Sequence, residues 1–333
     1  MKTSLETELK SILSFDSVEK WEIIQSLWSG YGSLLRVKLQ GSSYDSVIVK
    51  RITPPLGAQH PRGWNSELGH QRKLKSYEVE CHWYANLAKR GDDSCRIPQY
   101  LGHKEISGGM LLVMEDLDQA GYPLRKNHLT PVELKKCLSW LAHFHSRFLQ
   151  TQSEEITKGL WPIGTYWQLE TRTEEYDKMP SGPLKDAASM LHQTLKGSRF
   201  QTLVHGDAKY ANFCFAPDGR VAAVDFQYVG GGCGMKDVAY LLSCIPGDLS
   251  LAQESDLLDA YFKDLKDTVR QEHPNMDTEA LEADWRPLYV VARADFERFL
   301  QGWAPGHWKS TNYAERCVIR AVSSLSDRIK DKS

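Results

Sequence analysis

The sequence has no apolar run near the roughly 20 residues that a membrane-spanning helix needs. Its opening residues are broken by Glu6 and Glu8, where a secretory leader would carry an uninterrupted apolar stretch. No two cysteines stand in C-x-x-C spacing. The seven present (Cys81, Cys95, Cys137, Cys214, Cys233, Cys244 and Cys317) are scattered and odd in number, which suits neither a zinc site nor a disulfide framework and points to reduced, buried thiols. These absences set the expectation of a cytoplasmic protein with no membrane partner. An excess of one charge is missing too: 41 Lys and Arg against 43 Asp and Glu leave a formal charge of -2, so a dedicated nucleic-acid binder is not expected. There is no internal repeat, low-complexity tract or surplus of Gly or Pro.

What is present is an ordinary globular composition: 333 residues, 41% hydrophobic and 25% charged, long enough for two joined lobes. Residues 5–13 carry an amphipathic helical pattern. β-type runs follow at 22–28, 34–39 and 46–50, the last two joined by Gly41-Ser42-Ser43-Tyr44-Asp45, which suits an antiparallel hairpin. A Pro/Gly-rich loop over 51–63 is expected to be exposed and mobile. A helix is predicted over 67–89, stopping at Gly91, and an apolar strand over 110–114 ends at Glu115-Asp116. Beyond Leu117 the pattern turns helical. Thr130 and Pro131 suit the cap and first turn of a helix reaching residue 149, and two short strands are predicted near 203 and over 221–224. The expected fold is α+β and two-lobed: residues 1–117 as an antiparallel sheet plus a helix, residues 118–333 as a larger, mainly helical lobe, with a cleft between them.

In the helical half, Val204-His205-Gly206-Asp207-Ala208-Lys209-Tyr210-Ala211-Asn212 is followed by Val224-Asp225-Phe226-Gln227. Singly these pieces are ordinary: His-Gly-Asp is most often a turn, and an Asp after a strand is usually a turn former. Together, each behind a strand pattern, they carry what phosphoryl transfer from ATP requires. A carboxylate must orient the acceptor hydroxyl and take its proton, oxygen ligands must hold Mg²⁺, and cations must absorb charge. Asp207 and Asn212 share one loop, and a hairpin would bring Asp225 beside it. The oxygens of Asn212 and Asp225 suit Mg²⁺, which takes few protein ligands beside phosphate and water. In the other half, Ser29-Gly30-Tyr31-Gly32-Ser33 links two strand patterns. Its glycines would let backbone amides approach phosphate oxygens, but the third glycine of G-x-G-x-x-G is missing, and alone the segment reads as a plain hairpin turn.

The string H-G-D-x-x-x-x-N followed by D-F resembles the catalytic and metal-binding motifs of the aminoglycoside phosphotransferases and choline kinases. These are small-molecule relatives of the protein kinases, whose version reads H-R-D and D-F-G. The wording is most similar to the ecdysteroid-kinase-like branch. The resemblance implies a protein-kinase-like fold, ATP and Mg²⁺ as cofactors, Asp207 as catalytic base, and Asn212 and Asp225 as metal ligands. Lys209 stands where protein kinases place a lysine that touches the transferred phosphate. Val47-Ile48-Val49-Lys50 resembles the V-A-I-K strand, whose lysine binds the α- and β-phosphates. Glu80-Cys81-His82-Trp83-Tyr84 resembles E-x-x-F-Y, which implies that Glu80 orients Lys50; Glu78, on another helix face, is the fallback. Met114-Glu115-Asp116-Leu117 resembles the strand-to-hinge E-D-L, implying adenine contacts from backbone groups near Glu115 to Leu117. Leu141-Ala142-His143-Phe144-His145 fits L-A-x-F-H, with His145 read as structural. Asp237 resembles an aspartate that braces the catalytic loop from a helix start. These motifs run in order from Ser29 to Leu242.

Only Tyr228 to Met235 separates Asp225-Phe226-Gln227 from the next helix, which leaves no room for the long activation segment of a protein kinase. No protein substrate is therefore expected, and the acceptor implied is a small-molecule alcohol. The C-terminal third is rich in aromatics (Trp161, Tyr166, Trp167, Trp285, Tyr289, Trp303, Trp308) with scattered acids (Glu170, Glu174, Asp284, Asp295). Such rings pack a helical core, cage a quaternary ammonium or stack a sugar or steroid; the family wording tips the balance towards an apolar, sterol-like alcohol. Two rivals stand beside a small-molecule kinase. One is a nucleotide-binding pseudokinase serving as a regulatory or interaction module, which would normally lack Asp207, Asn212 or Asp225. The other is a metal-dependent hydrolase using His205, Asp207 and Asp225, which would leave Lys50 and Glu80 without a role.

Overall fold

The computed structural model describes residues 2–54, 67–149 and 154–330. The greater part of the Pro/Gly-rich loop predicted over 51–63 lies outside the described residues. In chain order, α1 (Lys2–Lys10) precedes β1 (Ser17–Ser26), β2 (Gly32–Gln40) and β3 (Ser46–Ile52); α2 (Glu67–Asn86) leads to β4 (Tyr100–Ile106) and β5 (Gly109–Glu115). Next come α3 (Pro131–Arg147), α4 (Thr173–Lys178), α5 (Pro183–Asp186) and α6 (Ala188–Lys196). Four short strands follow: β6 (Thr202–Val204), β7 (Phe213–Phe215), β8 (Val221–Ala223) and β9 (Gly230–Gly232). The chain closes with α7 (Met235–Leu242), α8 (Leu251–Glu272), α9 (Thr278–Trp285), α10 (Leu288–Trp303) and α11 (Asn312–Lys330). The fold is the predicted α+β arrangement, an antiparallel sheet followed by a mainly helical region. Among the described residues, no helix is long and apolar enough to cross a membrane.

The chain divides into two compact units, Met1–Arg125 with Cys214–Val224, and Lys126–Phe213 with Asp225–Ser333. Residues 118–125 and 214–224 thus group with the sheet, on the far side of the division drawn at residue 117. The physical reason is local pairing: Leu124 bridges Phe215 and Arg96 bridges Ala222, and Leu117, Tyr122, Cys214, Ala216 and Ala222 share one small apolar cluster.

In the first unit the sheet order is β1-β2-β3-β5-β4, every neighbouring pair being antiparallel. Alternation puts Leu35, Val37, Val47, Val49, Leu111 and Val113 on one face, over Leu9 and Phe15. β1 begins earlier than its predicted span and ends before Trp28, which belongs to a 3₁₀ turn. As an edge strand with much of its length exposed, it carries little apolar alternation to read. α2 also ends earlier than predicted. A 3₁₀ turn, Ala88–Arg90, intervenes, and Gly91 has an extended conformation at φ -67, not the left-handed one of a glycine cap. That position is closely packed: a Cβ on Gly91 would stand 2.9 Å from Ile97 Cδ1.

The second unit is organised on α10, most of whose residues are buried. Trp167, Tyr240, Phe296, Phe299 and Leu300 form an aromatic cluster on it. α3 starts with the predicted cap: Glu133 N–H donates to Thr130 Oγ1 at 3.3 Å, and Thr130 N–H to the Glu133 carboxylate at 2.8 Å. β6 pairs antiparallel with β9, matching Thr202 to Gly232 and Val204 to Gly230. Three consecutive glycines give β9 no strand signature, so the sequence pattern does not reveal it. A Cβ on Gly230 would stand 2.2 Å from the Trp161 carbonyl oxygen, so close backbone approach explains the glycine there.

Candidate active site

In the first unit, the alternation that sends Val47 and Val49 into the sheet core turns Lys50 to the opposite face. There its Nζ stands 2.6 Å from Glu80 Oε2 of α2 and 5.6 Å from the centre of the Tyr77 ring. Lys50 and Glu80 are only 5% and 1% exposed, so each charge depends on its partner. Glu78 is exposed and pairs with Lys75. The fallback is thereby separated from Glu80 by helix geometry alone.

Ser29 and Gly30 lie on the tight turn between β1 and β2, and Gly32 and Ser33 open β2; φ is 58, 76 and 132 at Ser29, Gly30 and Gly32. A Cβ on Gly32 would stand 2.0 Å from the Arg51 carbonyl oxygen, so glycine is required for that crossing. Gly30 N–H donates to the Leu27 carbonyl (3.2 Å) and Tyr31 N–H to that of Trp28 (3.4 Å); those two amides are used within the turn. Ser33 pairs with Arg51, one residue beyond Lys50.

At the end of β5, the Glu115 carboxylate accepts from Arg96 Nη2 at 2.6 Å and Gln99 N–H at 2.9 Å. Asp116 accepts from Arg36 Nε at 2.7 Å and Ser46 Oγ at 2.5 Å. Burial works against its charge, but these two donors outweigh it and hold the carboxyl below the usual carboxylate range. Leu117 is buried, and its carbonyl accepts from Tyr122 N–H at 2.8 Å.

In the second unit, β6 runs directly into the loop at 205–209. Gly206 sits at φ 81, and a Cβ there would meet the Tyr228 carbonyl oxygen at 2.1 Å. The loop is braced from α7: Asp237 Oδ2 accepts from His205 N–H at 2.5 Å, and Oδ1 from Gly206 N–H at 2.9 Å. His145 Nε2 faces Asp237 Oδ2 at 3.2 Å, and its Nδ1 faces the Tyr261 hydroxyl at 2.8 Å. Both His145 and Asp237 are fully buried, so His145 has the structural place expected of it. His205 is also fully buried; its Nδ1 accepts from Asp207 N–H at 3.2 Å, and its ring lies 4.5 Å from Phe226. A histidine so enclosed shapes the loop.

Asp207 Oδ2 accepts from Lys209 Nζ at 2.8 Å and Asn212 Nδ2 at 3.1 Å. No described residue donates to Asp207 Oδ1. Burial disfavours charge on Lys209, yet the carboxylates of Asp207 and Asp225 outweigh it and raise the ammonium pKa above its ordinary value. Asn212 Nδ2 also donates to the Asp207 carbonyl at 2.8 Å, which turns the amide oxygen away from Asp207. Asn212 immediately precedes β7 and Asp225 follows β8, two strands paired in one small sheet. Asp225 has a left-handed backbone at φ 69, which aspartate tolerates better than most side chains, and its Oδ1 accepts from Gln227 Nε2 at 2.8 Å. The donor set of one amide and one carboxylate is hard oxygen chemistry and fits Mg²⁺. Among the described residues, no group of three or more His, Cys, Asp or Glu is placed to hold a metal.

The motif pattern does not reveal the neighbours of this loop. Tyr166 N–H donates to the Gly206 carbonyl at 3.2 Å, and its hydroxyl donates to that of Tyr240 at 3.1 Å. Burial chiefly, then the Asp207 carboxylate, pushes Tyr166 well above an ordinary phenol. Trp161 Nε1 donates to the Gln227 carbonyl at 2.8 Å, and its ring stacks on Tyr228 at 6.1 Å. Their only signal in the sequence is aromatic content, which does not separate a site wall from core. They differ in burial: Trp167, Trp285 and Tyr289 are buried, whereas Trp161, Tyr166 and Trp303 are partly accessible and Trp308 is 51% exposed.

The sequence matches the phosphotransferase enzyme family (APH) over residues 24–277, more than half of the chain. The chain belongs to that family, and its class of chemistry is phosphoryl transfer. No curated protein matches it. Similar solved structures include the amicoumacin kinase hAmiN in complex with AMP-PNP, Ca²⁺ and Ami, with TM-score 0.56, 16% identity, and coverage of 98% of this chain and 94% of that one. The macrolide 2'-phosphotransferase MphH from Brachybacterium faecium has TM-score 0.53 at 13% identity, covering 96% and 98%. A choline kinase from Cryptosporidium parvum has TM-score 0.50 at 11% identity, covering 97% and 91%. At these identities the likeness is one of fold.

Proposed function

We propose that this protein transfers the γ-phosphoryl group of ATP to a hydroxyl of a small molecule, with Mg²⁺ as the accompanying ion. The observation that carries this reading is the asymmetry of Asp207: Oδ2 is held by Lys209 and Asn212, while Oδ1 accepts from no described residue. A carboxylate oriented through one oxygen has the other available to take a proton from an acceptor hydroxyl. The acceptor oxygen then bonds to the γ-phosphorus as the bond to the β-phosphate bridging oxygen breaks, releasing ADP. Lys209, its charge favoured by both Asp207 and Asp225, would bear on the negative charge around the transferred group. Lys50, fixed by Glu80, would bind phosphate oxygens, and the Ser29–Ser33 turn would cover them. Backbone groups near Glu115 and Leu117 would take the adenine. Asn212 and Asp225 would hold Mg²⁺, which when bound screens phosphate charge. The order of family motifs supports each of these assignments.

The test is a screen of alcohols, amino alcohols, sugars and sterols for phosphate transfer from ATP, run beside thermal shift with Mg²⁺-ATP. Transfer to any of them, together with a raised melting temperature that Asp225→Ala abolishes, is expected. The absence of a shift at millimolar Mg²⁺-ATP would count against the reading.

A further inference from the structure

The aromatic surfaces beside the 205–209 loop already carry cations, and the cations are the protein's own. Lys309 Nζ sits 4.2 Å from the centre of the Tyr240 ring, 5.5 Å from Phe296 and 5.5 Å from Trp308. Three rings around one ammonium make the arrangement by which proteins recognise quaternary ammonium ligands. Lys309 is 7% exposed, and its Nζ donates to Cys244 Sγ at 3.0 Å. No carboxylate of a described residue pairs with it, and the rings stand around its charge. The nest lies next to the candidate base: Tyr240 bonds Tyr166 through their hydroxyls, Tyr166 bonds the Gly206 carbonyl, and the Asp207 charge is felt at both phenols. A second cation occupies the adjoining rings. The Arg172 guanidinium lies 5.9 Å from Tyr166 and 5.3 Å from Phe299, paired with Glu175 at 2.9 Å.

We infer that Lys309 is a specificity-determining residue: it fills the aromatic box beside Asp207, and the acceptor is an alcohol without a fixed positive charge. This rests on the phosphotransferase reading for the word acceptor, though the filled box itself does not. A quaternary ammonium or protonated amine approaching these rings would meet the Lys309 ammonium, to which no carboxylate of a described residue is paired, and beside it the Arg172 guanidinium, paired with Glu175. Like charges in a partly desolvated site repel strongly. A neutral hydroxylated ring compound meets no such opposition at the partly accessible rings of Trp161, Tyr166 and Tyr228.

The experiment titrates wild type, Lys309→Ala and Lys309→Met with tetramethylammonium and choline, following tryptophan fluorescence, in which Trp308 reports on the box. Lys309→Ala empties the box and is expected to bind both cations saturably, at least tenfold more tightly than wild type, the scale of a desolvated cation–π contact. Lys309→Met keeps the box filled without charge and is expected to bind neither. Near-UV circular dichroism shows which variants are folded. Saturable millimolar binding of either cation to wild type would overturn the inference, whether or not the variants fold. A folded Lys309→Ala without cation binding would overturn it too. In the transfer assay, wild type is expected to prefer 3,3-dimethylbutan-1-ol to its cationic isostere choline by at least tenfold if either is turned over; preference for choline sinks the inference. Thermal shift with Mg²⁺-ATP reads the phosphotransferase assignment separately, so either can fail alone.

Discussion

The Lys209 ammonium donates to Asp207 Oδ2 across 2.8 Å, and the amide nitrogen of Asn212 reaches the same oxygen at 3.1 Å. One carboxylate oxygen is therefore committed to holding the side chain still. Asp207→Asn preserves this shape and removes the basicity. Turnover is expected to fall by about 10²–10⁴-fold, the usual weight of a general base, with the Mg²⁺-ATP thermal shift retained. Unchanged turnover would remove Asp207 from the base role.

Lys50 and Glu80 are a nearly buried ion pair, and removing one partner strands the other's charge. Lys50→Met or Glu80→Gln alone is expected to cost about 3–5 kcal/mol, and the double variant clearly less than the sum. Urea midpoints of the four proteins measure this directly. Strict additivity would show that the two side chains are not energetically coupled.

Asp237 serves two loop amides and His145 Nε2 at once. In Asp237→Ala these buried donors lose their acceptor, at about 1–3 kcal/mol for each left unsatisfied. A marked fall in melting temperature is expected, together with faster hydrogen exchange at His205 and Gly206. Exchange left as slow as in wild type would mean that the loop is held by something else.

All seven cysteines are buried. Burial, ahead of neighbouring charges, pushes Cys81 and Cys233 up to about 12 and Cys214 to about 11, from an ordinary 9.0. A raised folded-state pKa means that the unfolded chain ionises first. The stability contributed by these thiols is complete below about pH 9 and declines as pH rises from there towards 12. Native protein is therefore expected to react slowly with a thiol-specific dye at neutral pH and to expose all seven thiols on unfolding. Rapid labelling of the native protein would contradict this burial.

Several features of the site were legible because they are local in the chain. Asp207 and Asn212 lie five residues apart on one loop, Lys50 ends an apolar strand pattern, and Thr130 announces a helix through its capping chemistry. Features that depend on distant residues were not. Nothing in Gly230-Gly231-Gly232 suggests a strand, since Gly230 and Gly231 answer to the crowding of Trp161 and Pro162. The choice of Glu80 over Glu78 followed from a family pattern, and helix geometry now supplies the physical reason.

The sequence by itself determined the α+β class and the family motifs, because hydrophobic period, turn chemistry and short motifs are properties of neighbouring residues. Only the tertiary structure decided that Asp237 would bind the backbone of His205 and Gly206, that Tyr166 would lie against their loop, and that Lys309 would occupy the rings of Tyr240, Phe296 and Trp308. Those pairings join residues far apart in the chain, and they form only when buried polar groups and charges must find partners in a packed interior.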